Sequence, residues 1–396
     1  MKNTAFSLIL IPSLAFVFFS CKEVKVSEGV PSSVFLADSK SSGTLSVSDI
    51  FEFKGYTTLE SNRGDLNVRS VKKLLFANDE KIIAVDNGTD FQNIWLFDKT
   101  GKFLNKIGLQ NEQRSDAFEG LNNVSYDKKQ NEVICLSSGK KSFVTYGPDG
   151  AFHSSVLNGV FGDDMIVSPD DKMPYIVYNE YNPSHISGNY HLLFFSREGD
   201  LVQRAFEYAD KKNGSGYEMC GFVNQSAGSN WFSPPFCDTI FTITNGQVSP
   251  RYVINFGQVR PRMDSKDAMV NQLPEIPYYL GSTFVKIGAY CIFDFVADNK
   301  VQTGLLDDKN NKLLKLSETN KNDPFYPILQ LGYFYPKDNS TFAMMLRPSR
   351  VRYLVSHNLL DMDYFKKNYP QLAEIMEHYS QDDNPLILYF SLKKQA

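Results

Sequence analysis

Eight side chains of this 396-residue chain are suited to holding a ligand: Arg114, Tyr181, His185, Trp231, Arg260, Arg262, Tyr278 and Arg347. Tyr and Trp offer a flat apolar face with a polar edge, fit for stacking on sugars or peptide groups, and Arg offers a planar fork that matches a carboxylate. Each has a plainer use when taken singly. Trp231 equally suits a core position, and scattered arginines are usually solvated. What groups the eight is the face of the fold on which the chain would present them.

Catalytic patterns are weak. The five histidines, His153, His185, His191, His357 and His378, follow no metal-ligand spacing, and no G-x-S-x-G elbow occurs. Asp163-Asp164, Asp170-Asp171, Asp307-Asp308 and Asp382-Asp383 are paired carboxylates of the kind that bind a divalent ion or act as acid and base. Beside turns, however, such pairs mostly shape the turn and stay solvated. No cofactor or metal is expected on these grounds, although a structural or catalytic divalent ion stays open.

The elements that must position these residues follow from a repeat. Leu96 to Gly108, LFDKTGKFLNKIG, has apolar residues on both sides of a tight Asp/Gly turn, the signature of a β-hairpin. It recurs in VTYGPDGAFHSSV, LFFSREGDLVQRAF and FTITNGQVSPRYVINF, so that Gly101, Gly150, Gly199 and Gly246 stand 49, 49 and 47 residues apart. A period of this size marks a repeat array, and about four short strands fit in each period. The fold class is therefore all-β, a six-bladed β-propeller of four-stranded antiparallel blades. The ring is closed where an N-terminal strand, Phe51 to Glu60, joins the C-terminal blade beside Pro385 to Leu392, which removes two exposed edges.

Between these ends the strands group into six sheets. The first spans Val71 to Ile107, the second Val124 to Leu157, the third Met165 to Phe206, the fourth Phe222 to Phe256 and the fifth Thr283 to Leu316. The sixth combines Tyr326 to Tyr335, Thr341 to Leu346 and the two terminal strands. Helices are expected over Ser265 to Gln272 and, broken at Pro370, over Met362 to Tyr379. Turns between the third and fourth strands of a blade are minimal. The long connections, Leu109 to Leu121, Asn179 to Tyr190, Tyr208 to Met219, Gln258 to Ser282, Ser317 to Pro324 and Pro348 to Asn384, all fall on the opposite face. Long loops tend to carry function, and that face is the expected binding site.

The first residues read as a targeting signal. Lys2 precedes an apolar run from Ala5 to Phe19 that ends at Ser20-Cys21, too short for a convincing membrane span. Residues 1–20 are read as a lipoprotein signal peptide, Cys21 as the lipidated first residue, 21–48 as a flexible tether and 49–396 as the propeller. Of the remaining cysteines, Cys135 and Cys291 fit buried free thiols, while pairing of Cys220 with Cys237 stays open. A net charge of −4 and 22% charged residues, without basic stripes, argue against a nucleic-acid partner.

Three stretches, IIAVDNGTDFQNIWLFDKTGKFLNKIG (Ile82 to Gly108), Tyr369-Pro370-Gln371-Leu372 and Asp383-Asn384-Pro385-Leu386-Ile387-Leu388, resemble the six-bladed β-propeller lipoproteins of Bacteroidetes, an NHL-like family with no assigned activity. The Gly-rich loop such proteins often carry after the first blade is replaced here by QNEQRSDAFE, Gln110 to Glu119. The expectation is an outer-membrane, lipid-anchored, non-enzymatic propeller, on the periplasmic side or at the cell surface. It would touch the membrane through the anchor alone and bind a glycan, peptide or envelope protein partner on its long-loop face. The alternative is a carbohydrate-active hydrolase or lyase using carboxylates at the channel mouth.

Overall fold

The computed structural model describes residues 22–23, 31–36, 46–61, 68, 71–77, 80–87, 92–108, 116–180, 182–208, 221–235, 237–255, 278–297, 300–315, 322–330 and 332–393. Six antiparallel four-stranded units succeed one another along the chain and close into a ring, a six-bladed propeller. Blade one is Lys73–Ala77, Lys81–Asn87, Gln92–Asp98 and Phe103–Ile107. Blade two is Leu121–Asp127, Glu132–Ser137, Ser142–Tyr146 and Phe152–Leu157. Blade three is Asp164–Val167, Tyr175–Tyr178, Tyr190–Phe195 and Leu201–Glu207, and blade four is Phe222–Ser226, Ser229–Ser233, Thr239–Thr244 and Gln247–Asn255. Blade five is Tyr278–Ile287, Tyr290–Ala297, Lys300–Asp307 and Lys312–Lys315. Blade six runs Tyr333–Pro336, Thr341–Leu346, Leu386–Leu392 and, outermost, Phe51–Thr58.

The ring closes as expected. Leu388 pairs with Tyr56 and Phe390 with Phe53, so the first long strand is hydrogen-bonded to the last. The first strand of each blade touches the first strand of the next, all the way round, which puts these six strands about the axis.

Packing explains why the middle strands lack the polar alternation of a half-solvated sheet. Both faces of a blade are covered by neighbouring blades, so Tyr190–Phe195 and Ser142–Tyr146 are buried at every position. The buried apolar residues accordingly fall into six clusters, one per blade interface. The turn glycines serve the same packing. Gly101, Gly150 and Gly199 have φ of +90°, +85° and +85°, the left-handed region that glycine enters freely. A Cβ on Gly199 would also stand 2.2 Å from the Leu157 carbonyl oxygen of the preceding blade.

Several boundaries differ from the sequence reading. Tyr326–Leu329, read as strand, is a helical turn with Pro327 in its first turn, where the missing N–H costs nothing. The broken helix is present as Met362–Asn368 and Pro370–His378, but the same connection carries a third helix, Pro348–Ser356, that the sequence reading missed. That helix buries Val351 and Leu354 against blades five and six, and its nine residues are too few for a periodic signal to stand out.

The stretch read as a tether also contributes strands. Lys22–Glu23 runs parallel to the outer strand of blade three, and Ser32–Leu36 lies between the outer strands of blades four and five, parallel to both. The unpaired N–H and C=O groups of a blade's outer edge are a ready template for such additions. The helix expected over Ser265 to Gln272 lies outside the described residues, as does Cys21.

Candidate functional site

A cavity of about 1160 Å³ runs along the propeller axis. Its wall is built from the first strands of all six blades. Lys73, Asn123, Asp164, Asn224 and Thr283 lie toward the face of the long connections, and Lys129, Pro169, Gly228 and Asp338 lie at the opposite end. The wall mixes apolar side chains such as Leu75, Val124 and Ile166 with polar ones such as Lys73, Asn123, Asp164 and Gln225, because these strands turn an edge, and not a packed face, toward the axis.

Neighbouring inner strands are tied by side chains. Lys73 Nζ donates to Asn123 Oδ1 at 2.6 Å and to Asp164 Oδ1 at 3.3 Å, linking blades one, two and three. Ser125 Oγ accepts from the Val167 N–H, Ser226 Oγ from the Lys286 N–H, and Tyr335 donates its hydroxyl to the Lys72 carbonyl. Such bonds fix the spacing of the blades and with it the bore of the channel. The opposite end is fastened by Arg197, whose guanidinium meets buried Asp127 at 2.8 Å.

Blade five departs from this pattern. Its inner strand pairs Leu280 with Phe295 and then Phe284 with Phe293, so Gly281, Ser282 and Thr283 stand opposite the single residue Asp294. This bulge lets Asp294, which sits on the second strand, line the cavity together with Ser282, Thr283, Gln302 and Thr303. Burial pushes the Asp294 carboxyl up to about 6, against the opposing effect of hydrogen bonds from the Thr283 and Thr303 hydroxyls. Thr303 Oγ1 lies 3.3 Å from Asp294 Oδ1.

Of the eight residues singled out in the sequence, Trp231, His185 and Arg347 have described side chains, and these three lie apart. Trp231 is 3% exposed, stacked on Tyr252 between blades four and five, with its indole N–H on the Ser226 carbonyl; it is core and has no face to offer a ligand. Arg347 lies over the Tyr333 ring at 4.9 Å and so backs a side chain that lines the cavity. His185 is exposed on the long-loop face. Tyr278 begins the inner strand of blade five, while Arg114, Tyr181, Arg260 and Arg262 lie outside the described residues.

The residues the sequence reading missed are Lys73, Asn123 and Asp294; Asp164 entered it only as one of the paired carboxylates. One signal was available: Phe293-Asp294-Phe295 sets a charge in the middle of an apolar strand, a costly placement without a purpose. The paired carboxylates divide. Asp164 reaches the channel, Asp307 accepts from the Lys309 and Asn310 N–H groups of its turn, and Asp308 meets Lys286 at 2.9 Å. Among the described residues no three His, Cys, Asp or Glu side chains are grouped so as to hold a metal ion. His191 is buried, its imidazole pushed down to about 4 by desolvation, and it faces the Asn179 carbonyl at 3.1 Å.

Fold and site together define an all-β propeller whose axial channel carries polar groups from all six blades. The chain belongs to the family described as a domain of unknown function, DUF4934, whose model matches residues 32–391. It is similar in structure to a Bacteroides fragilis protein, BF0058, whose description proposes export, with a TM-score of 0.70 at 15% identity over 92% of this chain and 100% of that one. It is also similar to a Bacteroides vulgatus member of the duf4221 family, with a TM-score of 0.52 at 7% identity over 87% and 98% of the two chains. No curated protein matches the chain. Among the described residues no helix is long and apolar enough to cross a membrane.

Proposed function

We propose that this protein is an exported binding propeller, anchored by lipid at Cys21 in the outer membrane, that takes a polar ligand, a glycan or peptide segment, at the channel mouth on its long-loop face. The observation that carries the reading is the axial cavity, lined by all six blades with amide, hydroxyl and charged groups that are braced from behind. Preformed concave sites with a few placed polar groups are the usual form of a ligand pocket. The Asp164 carboxylate, toward the long-loop end, is engaged by Lys73, which supports holding over hydrolysis there. The similarity to a protein described in terms of export, and the apolar run ending at Cys21, support the placement in the envelope.

Glycan and peptide arrays probed with the full-length protein test the binding. Asn123→Ala and Lys73→Met are expected to abolish whatever binding is found, and a ligand held equally by both variants would remove the channel as its site. For the anchor, Cys21→Ser is expected to release the protein from the membrane fraction; retention there would remove the lipid.

A further inference from the structure

We infer that the bulge of blade five forms a subsite for a positively charged amine, with Asp294 as its counter-ion; the inference rests on the binding reading above and names the chemistry of part of that ligand. The cavity's other carboxylates are already provided for. Asp164 has Lys73 and Asp127 has Arg197, while Asp338 is held by the Ser340 and Thr341 N–H groups of its turn. Asp294 alone is met only by neutral hydroxyls, and no basic side chain among the described residues pairs with it.

An ionised carboxylate accepts up to four hydrogen bonds, and two threonines leave it with acceptor capacity and an uncompensated charge turned toward an open cavity. Burying such a charge is unfavourable unless something pairs with it. The strand could have avoided that cost: regular pairing would have covered position 294, whereas Gly281, Ser282 and Thr283 bulge away and uncover it. A Cβ on Gly281 would stand 2.9 Å from the Asp294 carbonyl oxygen, so glycine is what allows the bulge to fold this tightly.

An ammonium group answers both needs, supplying positive charge and N–H donors at once. A metal ion is a poorer occupant, since among the described residues no three His, Cys, Asp or Glu side chains gather to hold one. A neutral hydroxyl would add a hydrogen bond and leave the charge uncompensated. Val301, 75% exposed on the rim, offers an apolar surface beside the subsite for the carbon skeleton bearing the amine.

Glucosamine and glucose share a ring and differ in one ammonium group, which makes them the probes. Thermal unfolding of the full-length protein at pH 7 and matched ionic strength, titrated with each sugar, gives apparent affinities by linkage. The expected result is glucosamine binding about tenfold or more tighter than glucose, the size of one charge-assisted hydrogen bond, with that preference lost in Asp294→Asn while the variant still unfolds cooperatively. A preference that survives in Asp294→Asn, or no response to glucosamine, would overturn the subsite. Equal responses to both sugars would overturn it too, while leaving the channel as a binding site; the arrays decide that wider reading independently.

Discussion

Gly101 lies against the Thr58 carbonyl so closely that a Cβ on Gly101 would stand 2.1 Å from that oxygen, with the Thr57 methyl at 2.8 Å. The hairpin turn of blade one is thereby seated on the outer strand of blade six, and the Glu60 N–H donates to the Gly101 carbonyl at 2.8 Å. Gly101→Ala is expected to cost about 3 kcal/mol or more, combining a strained φ with a steric clash against backbone. Gly228→Ala separates the two contributions. Gly228 has φ of +71° but nothing within 4 Å of its added Cβ, so that variant is expected to lose only about 1 kcal/mol. Denaturant unfolding of both variants checks the difference, and equal losses would mean that the contact with Thr58 contributes nothing.

Asn384 secures the same junction from the C-terminal side. It is 3% exposed, its Oδ1 accepts from the Val68 N–H at 3.1 Å, its Nδ2 donates to the Glu60 carbonyl at 2.5 Å, and its own carbonyl accepts the Tyr379 hydroxyl. Asn384→Ala leaves a buried N–H and a buried C=O unpaired and is expected to cost about 2–4 kcal/mol. Asn384→Asp keeps the acceptor but sets a carboxylate against the Glu60 carbonyl, so it should rescue little. A fall in the melting temperature of both variants is the expected reading.

Asp294 gives the protein a signed pH dependence. Its folded pKa of about 6 lies above the ordinary 3.8, so between these values the folded state binds more protons than the unfolded one. This contribution to stability is complete below pH 4, is lost as the pH rises toward 6, and stays lost above. Asp294→Asn should therefore be more stable than the parent at pH 7, on the order of 2 kcal/mol, with the gap closing under acid. Unfolding midpoints across pH 4 to 8 measure it.

The thiols of Cys135, Cys237 and Cys291 are buried, and burial pushes all three up, Cys237 and Cys291 to about 12. Alkylation in the native state is expected to leave these positions unmodified, since the thiolate is the reacting form. Peptide mass spectrometry before and after denaturation reads the result, and native labelling of Cys135 would show that blade two opens.

The architecture was legible because it is written locally. A hairpin turn every 49 or 47 residues needs no knowledge of distant contacts, and the pairing of Phe51–Thr58 with Leu386–Leu392 follows from a first strand that has no hairpin partner close by in sequence. The channel was not legible, because Lys73, Asn123, Asp164 and Asp294 come from four blades and share no spacing. They meet only when the ring closes. Trp231 misled for the opposite reason: an indole is as useful in an inter-blade core as against a ligand, and its sequence neighbours do not tell the two apart. The strands at Lys22–Glu23 and Ser32–Leu36 escaped notice because their stabilisation comes from outer edges far along the chain and not from their own composition.

Because Phe51–Thr58 precedes its partner Leu386–Leu392 by nearly the whole length of the ring, the seam of the circle can be stitched only after every blade between them has been synthesised. Until then blade six lacks half of its strands, and the interfaces on either side of it have no finished partner to pack on. A message cut short before Leu386 would therefore leave no smaller working propeller, only an open arc with two raw ends for quality control to find.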